Sequence, residues 1–374
     1  VPLSEKAKEE ARNFMLSRHN LLKPADGSPV TIPDKEMALG CYFITSVNPQ
    51  IPPSGTVFSG RREALFAFQQ GKIHLRQLIK VRIGKEIIKM TAGRILFNEI
   101  LPPQIAFIND EIKQSTVKAL VTRAMQVCSN EEVVGLIDSL KSLGFWGMTL
   151  SGISVGIWDC HVYPDKSKVI AQANQKVAEI ENNFIQGLIT EPEKIRLTQD
   201  VWMATTEELA RLTWERFPAE NSISLIVGAG VRRASKDQVK QLSAMQGLVV
   251  DPLGKIVNLP TKSNYREGLS VFEYITSARG SRKNYFDTAV KTSDAGYLTR
   301  RLVDVAQDMV VLEEDCKDKE GYTLHASDSK FSGETIGKRL RGRVIMEDIL
   351  DKDGNILVKK GKIVDKIAAK KIEE

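Results

Sequence analysis

From Thr261 to Glu374 the chain contains no proline, although all 14 of its prolines lie before that point. Proline lacks a backbone donor and clashes with the preceding helical turn, so it ends or kinks a helix. Its absence leaves room for one very long helix, and residues 270 to about 304 read as that helix. At about 1.5 Å per residue it would run roughly 50 Å. Gly280 and Gly296 are its soft points, each costing about 1 kcal/mol relative to alanine.

The long segment concentrates charge. Arg279, Arg282, Lys283, Lys291, Arg300 and Arg301 stand against Glu273, Asp287 and Asp294. Residues eighteen apart complete five turns, so Arg282 shares a face with Arg300 and Lys283 with Arg301. Two basic pairs on one rod can touch phosphates at two points. The plainer alternative is a solvated face laced with intrahelical ion pairs. Thr288, Thr292, Ser293 and Ala295 form a small-residue stretch beside Gly296. Such residues weaken a helix and let a flat ligand approach closely, or simply pack against another helix.

Elsewhere the period changes along the chain. Residues 4–18 read as a helix capped by Ser4, with Glu5 near its positive end. A turn-rich loop follows at 23–29, and Arg61 to Gln70 reads as a short helix stopped by Gly71. Ile73, Leu75, Ile79, Val81 and Ile83 alternate with His74, Arg76, Lys80 and Arg82, which predicts a strand over 73–83 with a basic outer face. Residues 111–143 read as helix with a break at Ser129-Asn130. Ile170, Ala173, Val177, Ile180 and Phe184 make a heptad seam. Gly187 and the box Thr190-Glu191-Pro192-Glu193 then turn 166–216 into a helical hairpin or an ordinary packed pair. Arg341–Ile345 and Ile356–Lys359 flank Asp353-Gly354 as a β-hairpin, and 362–374 closes as a charged helix.

Composition excludes some classes. The net charge of +6 suits an anionic partner, while 6% aromatic content argues against a protein built on base-stacking platforms. The four cysteines, Cys41, Cys128, Cys160 and Cys316, form no C-x-x-C pair, so a reducing compartment fits better than a disulfide framework. No apolar run is long enough for a membrane span. The start at Val1, without Met or a signal peptide, suggests a chain that begins inside a longer protein.

Local motifs carry little chemistry. Gly228-Ala229-Gly230, followed by Arg232 and Arg233, resembles part of a phosphate-binding turn. Asp159-Cys160-His161 reads as a turn rather than a thiol nucleophile, and Asp351-Lys352-Asp353-Gly354 as a hairpin turn rather than a Mg²⁺ site. Cys316, in a polar run, is only a thiol by its spacing.

Residues 294–308, DAGYLTRRLVDVAQD, within the longer run 262–316, resemble the bridge-helix region of the bacterial RNA polymerase β′ subunit. The resemblance covers nearly the whole chain. LSRHNLLKPADGSP at 16–29 is similar to the segment after the family's catalytic barrel, and TAGRILFNEILP at 91–102 and FWGMTLSGISVGI at 145–157 to its pore domain. Residues 166–216 resemble the hairpin on the rim of its secondary channel, QVKQLSAMQGLV at 238–249 its F-loop, and 339–374 the start of a β-rich hybrid module.

The resemblance implies an α+β multidomain chain, mostly helical. Its parts are a barrel tail at 1–15, a pore domain at 16–163, a funnel domain at 164–250, a bridge-helix and cleft region at 251–316, and the hybrid module from 317 to 374. It implies that Thr292, Ser293 and Tyr297 meet the template base, that Arg282, Arg300 and Arg301 hold nucleic acid, and that Gly296 is a hinge. Implied partners are template DNA, product RNA, the β, α, ω and sigma subunits and secondary-channel cleavage factors, in the cytoplasm at the nucleoid and with no membrane. Asn284, Tyr285 and Phe286 replace a run that in the family holds glycine and small residues, and 231–235 departs from the family's G-A-R-G-S.

The family's Mg²⁺-binding N-A-D-F-D-G-D motif is not in this sequence; by family order it would end just before Val1, and the trigger loop would come after Glu374. Cys316 matches the first of four Zn²⁺-ligating cysteines, and one thiolate cannot hold a structural zinc. The chain is therefore expected to be inactive by itself and to serve nucleotidyl transfer within a polymerase. The alternative is a non-catalytic piece of a split subunit that docks factors.

Overall fold

In a computed structural model the described residues are all except 1, 24–26, 232–233, 252, 311, 314–320, 326, 328–332, 352–353, 355 and 374. They form two compact units, one of residues 31–295 and one of residues 1–30 with 296–374. The chain is mostly helical with two small sheets among the described residues, in line with the α+β expectation.

At the start, α1 (Glu5–Glu10) is capped as Ser4 suggests, its Oγ accepting from the Ala7 N–H at 3.2 Å. The single helix expected to residue 18 does not form. It widens into a π-helical stretch at Ala11–Met15 and tightens into a 3₁₀ turn at Ser17–His19. No side chain of these segments is buried, so packing does not enforce one helical register.

The larger unit begins with α2 (Glu36–Thr45), β1 (Val57–Phe58) and α3 (Arg61–Gln69). Strands β2 (Leu78–Ile83) and β3 (Glu86–Thr91) then pair antiparallel, with β1 parallel on the other edge of β2. The expected strand over 73–83 is thus shorter, because Ile73 and Leu75 are buried before it starts and Arg76 points inward rather than to solvent. Helices α4 (Ala92–Glu99), α5 (Gln114–Val127) and α6 (Asn130–Ser151) follow. The expected break is real: Ser129 and Glu132 form a capping box at the start of α6. That helix runs eight residues beyond the expected end and takes in Phe145 to Ser151.

Glycines set how closely α2 and α6 approach. A Cβ at Gly40 would lie 1.8 Å from the Gly144 carbonyl oxygen, and one at Gly144 would lie 2.4 Å from that of Met37. Between them Cys41 is fully buried, and burial pushes its thiol pKa up to about 12.

Helices α7 (Lys166–Ile185) and α8 (Glu191–Glu215) form a hairpin, the first of the two arrangements expected, with Gly187 in the left-handed region at its tip. Ala173 of the seam is buried with Trp202 and Leu209, and Val177 packs on them. The expected capping box at Thr190 is not made, since its side chain forms no cap bond; Pro192 in the first turn already supplies helical geometry. Helices α9 (Ser222–Gly228) and α10 (Lys236–Val239) lead toward α11 (Val271–Ala306).

The C-terminal part holds α12 (Ile336–Leu340), β4 (Ile349–Leu350), β5 (Ile356–Val358) and α13 (Lys366–Glu373) around Ile345, Val358, Val364 and Ala369. The hairpin partner of β5 is β4, not residues 341–345 as expected. Ile345 is instead a core residue, and neighbouring Val344 bridges Ile363.

Candidate nucleic-acid interface

Helix α11 is unbroken over 36 residues. Its first turn is fixed by Glu273, which accepts from the Ser270 N–H at 3.0 Å while Ser270 Oγ accepts from the Glu273 N–H at 3.4 Å. Glu273 also accepts from the N–H groups of Lys262 and Ser263 and from Ser263 Oγ, at 2.8, 3.2 and 2.8 Å. Burial raises its pKa, but the hydrogen bonds from Ser270 and Ser263 outweigh that and hold it at about 2. Its charge serves the helix start rather than the basic face.

The first half of α11 is propped from one side. Ser277 is buried and its Oγ meets Gln246 Nε2 at 3.1 Å. Lys283 Nζ donates to the Asp251 carbonyl at 3.4 Å, and Arg279 lies 4.0 Å from the Asp251 carboxylate. Gly280 is a packing glycine rather than a soft point, because a Cβ there would sit 2.8 Å from Val249 Cγ1. The opposite side is an open groove of about 920 Å³ lined by Tyr265, Val271, Tyr274, Arg282, Tyr285 and Phe286, among others. Among the described residues Arg282 has no ion-pair partner, so its guanidinium faces the groove uncompensated.

Further along, Thr292 and Ser293 are exposed. Thr288 Oγ1 donates to the Asn284 carbonyl at 2.7 Å and Thr292 Oγ1 to that of Thr288 at 2.6 Å. Bonds of this kind compete with the helix ladder and soften it. In the other unit, a Cβ at Gly296 would meet nothing within 4 Å, so close packing does not explain that glycine. The Arg301 guanidinium lies over the Tyr297 ring at 4.3 Å. Two of the cations have an acid one turn away: Lys291 meets Asp287 at 3.7 Å and Arg300 meets Asp304 at 4.0 Å. Such exposed pairs contribute only a few tenths of a kcal/mol, about 0.3–0.5.

Other motifs resolve plainly. Gly228-Ala229-Gly230 ends α9 with Ala229 fully buried and Gly228 against the Tyr42 ring, so it cradles no phosphate; Arg232 and Arg233 lie outside the described residues. Asp159-Cys160-His161 is a turn, with Cys160 packed on Phe217 and Ile223. Cys316 lies outside the described residues, and among those described no cluster of three or more His, Cys, Asp or Glu could hold a metal. No described helix is long and apolar enough to cross a membrane. Sequence reasoning missed the groove, although five aromatics crowded into residues 265–286 were its visible signal.

Comparison with known proteins gives two family matches: RNA polymerase Rpb1, domain 3, over residues 20–160, and RNA polymerase Rpb1, domain 5, over residues 268–374. The whole chain aligns at 38% identity with the DNA-directed RNA polymerase subunit beta' of Caldanaerobacter subterraneus subsp. tengcongensis, and at 39% with that of Thermoanaerobacter pseudethanolicus. The same-named protein of Dehalococcoides mccartyi is 37% identical. The chain spans 33% of the first two relatives and 29% of the third.

Proposed function

The chain belongs to the β′-subunit family of DNA-directed RNA polymerase, and on that premise we propose that it supplies the bridge helix, pore wall and secondary-channel rim of such an enzyme during DNA-templated RNA synthesis. The observation that carries this reading is α11: 36 continuous helical residues, with nearly every side chain from Asn284 onward open to solvent. A helix exposed on every side either bridges between other surfaces or relies on i,i+4 pairs, and a nucleic acid lying along α11 fits the first case.

In this reading Arg282 holds a template phosphate, as an unpaired guanidinium does well. Thr292 and Ser293 present small side chains to the first unpaired template base, and Tyr297 offers a ring for it to stack on. Arg300 and Arg301 extend the phosphate contacts, and Gly296 gives the helix a place to bend. Residues 16–163 would form the pore domain, 164–250 the funnel, 251–316 the bridge and cleft, and the remainder the hybrid module. The α7–α8 hairpin would receive cleavage factors. The β, α, ω and sigma subunits, template DNA and product RNA would complete the assembly in the cytoplasm.

The family's Mg²⁺ and Zn²⁺ find no cluster of three or more His, Cys, Asp or Glu among the described residues. What this chain's residues do is bind and orient the template.

The test is a polymerase assembled with Arg282→Ala or Thr292→Val in this segment. Loss of elongation rate with unchanged subunit assembly supports the reading; an unaltered rate and pause pattern would sink it.

A further inference from the structure

Strands β2 and β3 carry a second cationic surface on a different element. Their register places Lys80 directly opposite Lys89 and Arg82 opposite Ile87. Alternate residues project from opposite faces, so Lys80, Arg82, Ile87 and Lys89 share the outer face while Ile79, Val81 and Met90 enter the core. All four outer residues are exposed. The two-residue turn Gly84-Lys85, allowed by Gly84 at φ 63°, adds a further exposed cation at the end of the hairpin. Its one acid, Glu86, pairs with Ile83 and so belongs to the other face.

Like charges directly opposite in a sheet destabilise it. Among the described residues no ion pair offsets the Lys80–Lys89 repulsion: Lys80, Arg82, Lys85 and Lys89 make none. Other exposed lysines do find acids, as Lys141 does with Asp138 at 2.8 Å. Folding thus gains nothing from this arrangement, and a polyanion would. Lys80 and Arg82 stand about 7 Å apart along one strand, in a line that suits successive charges on an extended backbone.

We propose that the outer face of the β2–β3 hairpin binds the phosphate backbone of nucleic acid, through Lys80, Arg82 and Lys89 with Lys85 at the rim. This surface is separate from α11, and the proposal stands whether or not α11 contacts template.

The experiment titrates the full chain with a fluorescent single-stranded DNA 20-mer and with its RNA counterpart across a salt series, read by anisotropy. Lys80→Gln/Arg82→Gln/Lys89→Gln should weaken binding roughly tenfold and lower the salt slope by about 2, since each phosphate contact on a single strand contributes about 0.7. A matched variant, Lys113→Gln/Lys118→Gln/Lys176→Gln, should leave both unchanged. Stronger loss on one oligonucleotide identifies the strand. Lys89→Glu separates binding from folding: it should raise Tm by pairing with Lys80 while lowering affinity. Equal losses in the two triple variants, or a Lys89→Glu protein that loses Tm and affinity together, overturn the proposal. So does unaltered oligonucleotide affinity in a triple variant that no longer assembles with the β subunit, which would assign the face to a protein.

Discussion

Arg76 grips Glu220 through two hydrogen bonds, Nη1 to Oε2 at 2.6 Å and Nη2 to Oε1 at 2.9 Å, across 144 residues of sequence. Its Nε also donates to Ser46 Oγ at 3.1 Å, and its guanidinium lies over the Phe43 ring at 4.5 Å. This clamp joins the turn before β2 to the segment before α9.

Removing one partner leaves a buried charge uncompensated, which costs about 3 kcal/mol or more. Glu220→Ala should therefore lower the urea midpoint sharply. Arg76→Met/Glu220→Met should lose far less than the sum of the single variants, because neither charge is then stranded. Additive losses would show that the pair is not coupled.

Glu273 predicts an acid-dependent helix start. Its folded pKa of about 2 lies below the ordinary carboxyl value of 4.5. Depressed in the fold, it contributes stability that is present above pH 4.5 and is lost as pH falls toward 2. Glu273→Gln should flatten that part of the stability profile, and Glu273→Ala should cost about 1 kcal/mol at neutral pH as a lost cap. Urea titrations between pH 2 and 6 measure both; a mutant profile parallel to the parent's would remove Glu273 from this role.

Two glycines of α11 should respond in opposite directions. Gly296→Ala meets nothing within 4 Å and should stabilise the helix by about 1 kcal/mol. Gly280→Ala would place its Cβ 2.8 Å from Val249 Cγ1, so displacing that side chain offsets the gain in propensity. Thermal unfolding distinguishes them. If Gly296 serves bending, the stiffer variant should also alter elongation in an assembled polymerase.

Cys41 should resist alkylation. With its thiol pKa pushed up to about 12 by burial, the thiolate is scarce at pH 8 and the sulfur is out of reach. Iodoacetamide followed by peptide mass mapping should modify the partly exposed Cys128 and spare Cys41 until denaturant is added.

Local pattern by itself determined the long proline-free helix, the two helices of 166–216, the Ser129 break and the basic alternation on β2. Each depends on neighbours within a few turns or on strict alternation, and a linear reading sees those directly. Tertiary packing decided what sequence left open. Arg76 sits in the basic alternation yet turns inward, because Glu220 waits there from far along the chain. Gly280 and Gly296 look alike in sequence, but only one has Val249 beside it. The partner of β5 is β4 rather than residues 341–345, since Ile345 is needed in the core. In each case the deciding contact is made by a residue distant in sequence, and pattern within a window carries no record of it.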